Sequence, residues 1–532
     1  MRTRVRNLCA LASAGVFLLA GCSLGVDEER GTRTTEPPEP PSAPGLTLRD
    51  DAEEFVQDLG EHASFGDPVE LSVSLDKVGG RVRPENIGIS LEATDLADPR
   101  LDPEASTLDE RLNELGSPAL RFGGNRLDRN LFWTSSGETS DDSDDVVVQP
   151  EDLERLRKLT DATDAKVTLG LPLGDFDPER GADMAAHAQQ SLGDALVAVS
   201  IGNEPNGFTV EGEPNHRVRD DSWDVDAYVQ QVEEYAAAVA DAAPGLPIAG
   251  PGAFDAEWMR GFAGSDVADK AAVSQHWYAL YDCESTEVPG RGPQAENFVH
   301  PEVHDSAARI LGIGLGVADE AGLPLWVEET GPTSCPGTND TSRTQSKALW
   351  TIDYTLHAAQ LGVQRMAMHS MLGDCLGGAP MSVVCTAEDD PAAIVGQNNH
   401  AALRLASMSA NGEFLSTEGA RSDVRTYAVH DEAADQIVVT VLSTADAADI
   451  DATPMSIDVP DGYAAIAASQ VSAENLTEPM VSDYLEPLPL PETLPYSDEL
   501  EGGTALQLDV DASSATVFVF ERSASTTPTT SD

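Results

Sequence analysis

The chain has 532 residues and carries 92 Asp and Glu against 32 Lys and Arg, a formal net charge of −60. Such a surface repels nucleic acid and anionic membrane alike, which excludes both as charge-driven partners. It also opposes long-range steering of a densely sulfated polymer unless salt screens the field, and its plainest reading is solubility in a saline medium.

Residues 1–22, "MRTRVRNLCALASAGVFLLAGC", combine an Arg-rich start with an apolar stretch that ends on Leu19-Ala20-Gly21-Cys22. They read as a lipoprotein signal peptide with Cys22 as the acylated mature terminus. A retained membrane anchor is the competing reading, but spanning needs about 18 or more apolar residues. Residues 23–65 are rich in Pro and Glu and read as a disordered tether, and residues 523–532 as a disordered tail. The protein is then expected on the extracellular face of a bacterial membrane, held there only by lipid.

Residues 66–84 contain "PVELSVSLDKVGG", whose period of two predicts a strand that joins a later β-sandwich. From 85 to 411 short apolar runs alternate with amphipathic helical segments. The runs are "IGISLEAT", "ALRFGG", "KVTLGLPL", "LVAVSIGNEP", "PIAGPG", "AAVSQHWY", "PLWVEET" and "VQRMAMHS". Eight strands joined by helices such as "PEDLERLRKLTDATD" and "DVDAYVQQVEEYAAAVADAAP" predict a (β/α)8 TIM barrel. A doubly wound open sheet is the alternative, but no Gly-rich phosphate loop follows any strand. From 412 to 522 the period returns to two, in "DVRTYAVHD", "QIVVTVLST" and "ATVFVFE", so a C-terminal antiparallel β-sandwich is expected there.

Six cysteines are present. Cys9 leaves with the signal peptide and Cys22 takes the lipid. The remaining four suggest two disulfides in an oxidising compartment, most simply Cys375–Cys385 and Cys283–Cys335. Their spacings do not suit a zinc site.

Barrel enzymes take their chemistry from the C-terminal ends of strands. Glu204 closes the fourth strand, and Glu328 and Glu329 fall at the corresponding end of the seventh. Two carboxyls from different strands facing one cleft equip a site for glycosidic bond cleavage. The competing reading makes Glu204 a helix cap and Glu328 and Glu329 surface charges. Because side chains alternate along a strand, only one of Glu328 and Glu329 is expected to face inward. No metal or organic cofactor is implied by such chemistry.

The segments "ISLEATDLADPRLD…LNELGSPALRFGGNRLDRNLFW", "IGNEPNGF", "VSQHWY" and "LPLWVEETG" resemble, in order and spacing, motifs of glycoside hydrolase family 79, the family of heparanase and microbial β-glucuronidases. The resemblance spans about residues 85 to 370. It implies a retaining β-glycosidase with Glu204 as acid/base and Glu329 as nucleophile, acting on a β-linked glycan or glycoconjugate, most simply a glucuronide. It further implies that Asn203 meets the sugar 2-hydroxyl, that Tyr278 donates to Glu329, and that Glu92 and Asn125 contact the non-reducing sugar. His276 ends the sixth strand beside Tyr278. Arg121 either holds the nucleophile ionised or belongs to a structural ion pair, and Trp277 offers a sugar platform if its ring faces the cleft. The family's Gly-rich loop after the nucleophile is Thr333-Ser334-Cys335-Pro336-Gly337 here, and Pro336 has no N–H to offer a carboxylate. Two other readings therefore stay open: a related β-glycosidase for neutral sugars, and a lipoprotein that binds glycans without cutting them.

Overall fold

The computed structural model describes residues 65–210, 217–280, 294–334, 342–375, 381–477, 486–488 and 504–522. The leader with Cys22, the tether up to residue 64, the tail, and the Cys283 and Cys335 thiols lie outside the described residues. Among the described residues no helix is long and apolar enough to cross a membrane.

Strand β1 (Val69–Arg81) precedes the barrel strands β2 (Gly88–Glu92) and β3 (Ala119–Gly123). A short parallel ribbon, β4 (Leu131–Trp133) with β5 (Val146–Val148), interrupts the next crossover. There follow β6 (Lys166–Leu171), β7 (Leu196–Ile201), β8 (Ile248–Ala253), β9 (Lys270–Leu280), β10 (Leu325–Thr333) and β11 (Arg365–His369). Eight parallel strands close in the order β10-β11-β2-β3-β6-β7-β8-β9. They are the eight apolar runs of the sequence, so the barrel is the fold of this chain.

The crossover helices form where apolar residues recur at three and four. Val225–Ala242 buries Tyr228, Val232, Tyr235 and Val239, and Asp224 caps it by accepting from the Ala227 N–H at 2.9 Å. Outward-facing strand residues such as Leu120, Phe122, Val199 and Ile201 pack with these helices in one core. Inside the barrel, small Ala198, Ala249 and Ala272 cluster with Trp326.

After β11, β12 (Val384–Thr386) pairs with β13 (Ile394–Gly396), and the Cys375–Cys385 disulfide expected from the sequence ties the start of this ribbon. The last strands are β14 (Glu413–Glu418), β15 (Val424–Asp431), β16 (Gln436–Ser443), β17 (Ala452–Val459), β18 (Tyr463–Ser472), β19 (Glu486–Leu488), β20 (Thr504–Asp511) and β21 (Ser514–Arg522). With β1 they form a nine-stranded sheet in the order β19-β18-β21-β16-β15-β14-β1-β17-β20. The sheet curls on itself, so that Leu71 and Val73 of β1, Ile457 of β17 and Phe518 of β21 share one buried cluster. It is mixed rather than wholly antiparallel, because β1 enters between β14 and β17 and runs parallel to β17.

The opposite face of this sheet, through Phe414, Tyr427, Val438 and Val517, packs on helices Gln345–Leu361 and Asn398–Ser407 of the barrel. Helix Gln345–Leu361 is consequently buried on nearly every side.

Candidate active site

The opening of the site is written in "RFGGN". Arg121 points inward from β3 and is 1 % exposed. A Cβ at Gly123 would collide with the Arg121 guanidinium, and one at Gly124, where φ is +76°, with the Glu92 carboxyl. The two glycines therefore let two charged groups lie against the backbone at the strand end.

Arg121 Nη1 donates to Glu329 Oε2 at 2.6 Å and to Ser90 Oγ at 3.1 Å, while Nη2 donates to Asn203 Oδ1 at 2.7 Å. Tyr278 Oη donates to the other Glu329 oxygen at 2.7 Å. His369 Nδ1 stands 3.9 Å from that same oxygen. Burial alone pushes the Glu329 carboxyl up, but His276, His369, the Arg121 guanidinium and the Tyr278 hydroxyl together hold it well below the usual carboxylate range. Burial and the Glu329 charge push the Tyr278 hydroxyl well above its ordinary value, so it remains a donor.

Glu204 follows β7 with φ 48° and ψ 56°, a left-handed conformation rarely adopted by a side chain of this type. Its N–H donates to Gly252 O at 3.0 Å, and its carbonyl accepts from the Gly207 N–H at 2.8 Å. Trp223 Nε1 donates to Pro205 O at 2.8 Å, which fixes the next residue of the turn. Asp128 braces the other side: its Oδ2 accepts from the Asn203 N–H at 2.7 Å, and its Oδ1 from Leu173 and Gly174 N–H groups at 2.7 and 3.1 Å. Burial pushes the Asp128 carboxyl up to about 6 against these bonds.

The Glu204 Oε1 meets His276 Nδ1 at 3.1 Å. A carboxylate oxygen from each of Glu204 and Glu329 and a His276 ring nitrogen all lie within 4.8 Å of one another. That spacing would also suit a three-ligand cation site. Yet Arg121 and Tyr278 already engage both Glu329 oxygens, and the guanidinium charge against Glu329 opposes a cation beside it.

Glu92 is 7 % exposed, accepts from the Arg126 N–H at 3.1 Å and is pushed up to about 8 by burial, then by the Glu329 charge. Asn125 is half-buried beside it, its carbonyl accepting from Arg129 Nη1 at 3.0 Å. All the residues named from the sequence as catalytic or substrate-binding thus fall at one end of the barrel. One open alternative closes and one expectation is corrected. Trp277 is no sugar platform: it turns outward and packs on Tyr354 at 5.1 Å between ring centroids. Glu328 and Glu329 also escape simple alternation, because the pairing of β10 shifts register on both sides around them. Glu328 is buried against Arg365, with Nε donating to Oε1 at 2.9 Å.

Sequence reasoning missed His369, Ser90 and Asp128. His369 closes the eighth strand, so the rule that found Glu204 also reaches it. Ser90 and Asp128 carry no comparable signal. Four side-chain atoms of the site, Asn203 Nδ2, His276 Nε2, Arg121 Nε and His369 Nδ1, are buried without a hydrogen-bond partner among the described residues.

No family model and no curated protein matches the chain. Solved structures do match in fold. A 4-O-α-L-rhamnosyl-β-D-glucuronidase from Fusarium oxysporum 12S aligns with TM-score 0.63 and 14% identity over 84% of this chain and 99% of its own. A family 51 arabinofuranosidase from Xanthomonas axonopodis pv. citri gives 0.62 and 13% over 86% and 100%. The family 44 endoglucanase Cel44A from Clostridium thermocellum gives 0.54 and 12% over 86% and 100%. The chain is therefore similar in fold to barrel glycoside hydrolases from several families.

Proposed function

We propose that this protein is a retaining β-glycoside hydrolase acting on glucuronides, with Glu329 as nucleophile and Glu204 as acid/base. One observation carries the reading: the two carboxyls lie within 4.8 Å, oxygen to oxygen, and only Glu329 is gripped by a guanidinium and a tyrosyl hydroxyl. Retaining enzymes set their carboxyls about 5 to 5.5 Å apart, whereas inverting ones leave room for a water at about 6.5 Å or more.

In the first step a Glu329 oxygen bonds to the anomeric carbon while the Glu204 proton passes to the departing glycosidic oxygen. In the second, Glu204 takes a proton from water, whose oxygen displaces Glu329 from the same carbon. Arg121 and Tyr278 stabilise Glu329 as an anion at the start and again when it leaves. Asn203 Nδ2, turned to the site without a partner, donates to the sugar 2-hydroxyl. Glu92 and Asn125 meet the hydroxyls of the non-reducing sugar, and His276 orients Glu204 through its Nδ1 contact.

The glucuronidase among the structural neighbours supports the acidic sugar, and the arabinofuranosidase and endoglucanase support the neutral-sugar alternative. Hydrolysis of nitrophenyl β-D-glucuronide beside the glucoside, xyloside and galactoside separates them. Turnover of the glucuronide alone is expected. Turnover of a neutral glycoside alone supports the alternative, and glycan binding without any cleavage supports a non-catalytic lipoprotein. The leader supports export and tethering through Cys22, for which Cys22→Ala should release the protein into the medium.

A further inference from the structure

Below Glu329 lies a second charged pair that no step of the proposed reaction uses. Along β10, Trp326 and Glu328 turn toward Arg365, whereas Val327 between them is fully buried in the outer core. Regular alternation would send Glu329 outward with Val327. Instead the pairing with β9 shifts between Trp326 and Glu329, and that with β11 between Val327 and Thr330. After the shift Thr330 takes the outward place and its Oγ1 donates to Trp277 O at 2.6 Å.

Arg365 is built to hold that irregularity. It is 2 % exposed, as is Glu328. Its Nε donates to Glu328 Oε1 at 2.9 Å, and its Nη2 donates to Leu120 O at 3.0 Å and Lys166 O at 2.8 Å. Its guanidinium carbon sits 5.6 Å from the Trp326 ring centroid. One side chain thus ties β11 to the bulged strand β10 and to the starts of β3 and β6 across the interior. The arrangement is costly for stability alone, since Glu328 Oε2 is buried without a hydrogen-bond partner among the described residues and an apolar pair would serve a core as well or better.

We infer that the Glu328–Arg365 pair is a clamp that keeps β10 out of register and thereby turns Glu329 into the cleft. Glu328 and Arg365 are positioning residues, which act through Glu329 and do not touch substrate. The inference rests on the reading of Glu329 as nucleophile.

The test is the double variant Glu328→Leu/Arg365→Met, which removes both charges and keeps the volume. It should fold with a Tm near that of the unaltered protein. Its crystal structure should have β10 relaxed toward regular pairing, with Glu329 drawn away from Arg121 though still at the cleft, and its labelling by a cyclophellitol-type inhibitor should slow about 100-fold. The acid limb of kcat/KM should move to higher pH, because Glu329 loses the donors that keep it ionised. A merely structural pair would change Tm and leave that limb in place. Should the double variant not fold, Arg365→Lys retains the charge but cannot bridge Glu328 and two carbonyls at once; about 10-fold slower labelling and the same shift of the acid limb are expected. An intact register shift with labelling at the unaltered rate overturns the clamp, as does unaltered behaviour of Arg365→Lys when only that variant folds. Absence of labelling and turnover in the unaltered protein would instead remove the proposed function, and the crystal structure of the double variant would still decide whether the pair sets the register.

Discussion

Two buried carboxylates in this molecule are held by the same kinds of donor and serve different ends. Glu329, at the barrel mouth, accepts from Arg121 and Tyr278 with His369 nearby. Asp353, between barrel and sheet, accepts from Arg425 at 2.6 Å, Tyr427 at 2.7 Å and His304 at 2.9 Å. Both are buried, and both are held well below the ordinary carboxylate range despite that burial. Asp353 is enclosed by helices Pro301–Ala321 and Gln345–Leu361 and by β15, so its donors join two parts of the fold. Glu329 stands within 4.8 Å of a second carboxyl and near Asn203, whose Nδ2 has no hydrogen-bond partner among the described residues. A depressed pKa alone therefore does not mark a catalytic group; what its surroundings leave open does.

The contrast predicts opposite consequences for mutation. Glu329→Gln should lower kcat by about 10⁴-fold or more while leaving the thermal transition within a few degrees. Steady-state kinetics and calorimetry on one sample check both halves. Tyr278→Phe should lower kcat about 100-fold and raise the pH of the acid limb of kcat/KM, since Glu329 loses a donor to its charged form. A normal acid limb in that variant would break the proposed link between Tyr278 and Glu329.

Asp353→Ala should do the reverse, costing about 3 kcal/mol of stability by depriving half-buried Arg425, Tyr427 and His304 of their shared carboxylate, with the specific activity of the folded fraction retained. Because the folded pKa of Asp353 is depressed, its contribution is complete above the unfolded value of about 3.9 and fades as pH falls toward the folded one. Asp353→Asn should accordingly flatten the loss of stability below about pH 4, as measured by denaturant titration. Glu92 has the opposite sign. Its folded pKa of about 8 makes folding progressively less favourable as pH rises from the unfolded glutamate value toward 8. Glu92→Gln should therefore raise Tm by a few degrees more at pH 8 than at pH 5, the smallest effect of the set.

Much of this contrast was legible before any coordinates. Periodicity located all eight barrel strands, and the rule of strand ends reached Glu204 and the Glu328–Glu329 pair, because each closes a short apolar run; the family resemblance chose Glu329 and pointed to Arg121 and Tyr278. The rule of alternation failed at Glu328 and Glu329. A bulge is set by what lies across the barrel, here Arg365, and leaves no local mark on the strand that carries it. It also left Trp277 undecided, since facing direction depends on the barrel's curvature and on Tyr354 from a later helix. The Asp353 cluster was invisible for a related reason: its partners, His304, Arg425 and Tyr427, come from separate elements and none lies in a motif. Local chemistry at a strand end can be read from neighbours in sequence, whereas contacts between barrel and sheet cannot.

The most direct measurement is to trap the glycosyl-enzyme. Incubation with a 2-deoxy-2-fluoro-β-D-glucuronyl fluoride, followed by proteolysis and mass spectrometry, should find one sugar bonded to the peptide containing Glu329, with no adduct in Glu329→Gln. An adduct on Glu204 or Glu328, or one that persists in Glu329→Gln, would contradict the assignment of the nucleophile.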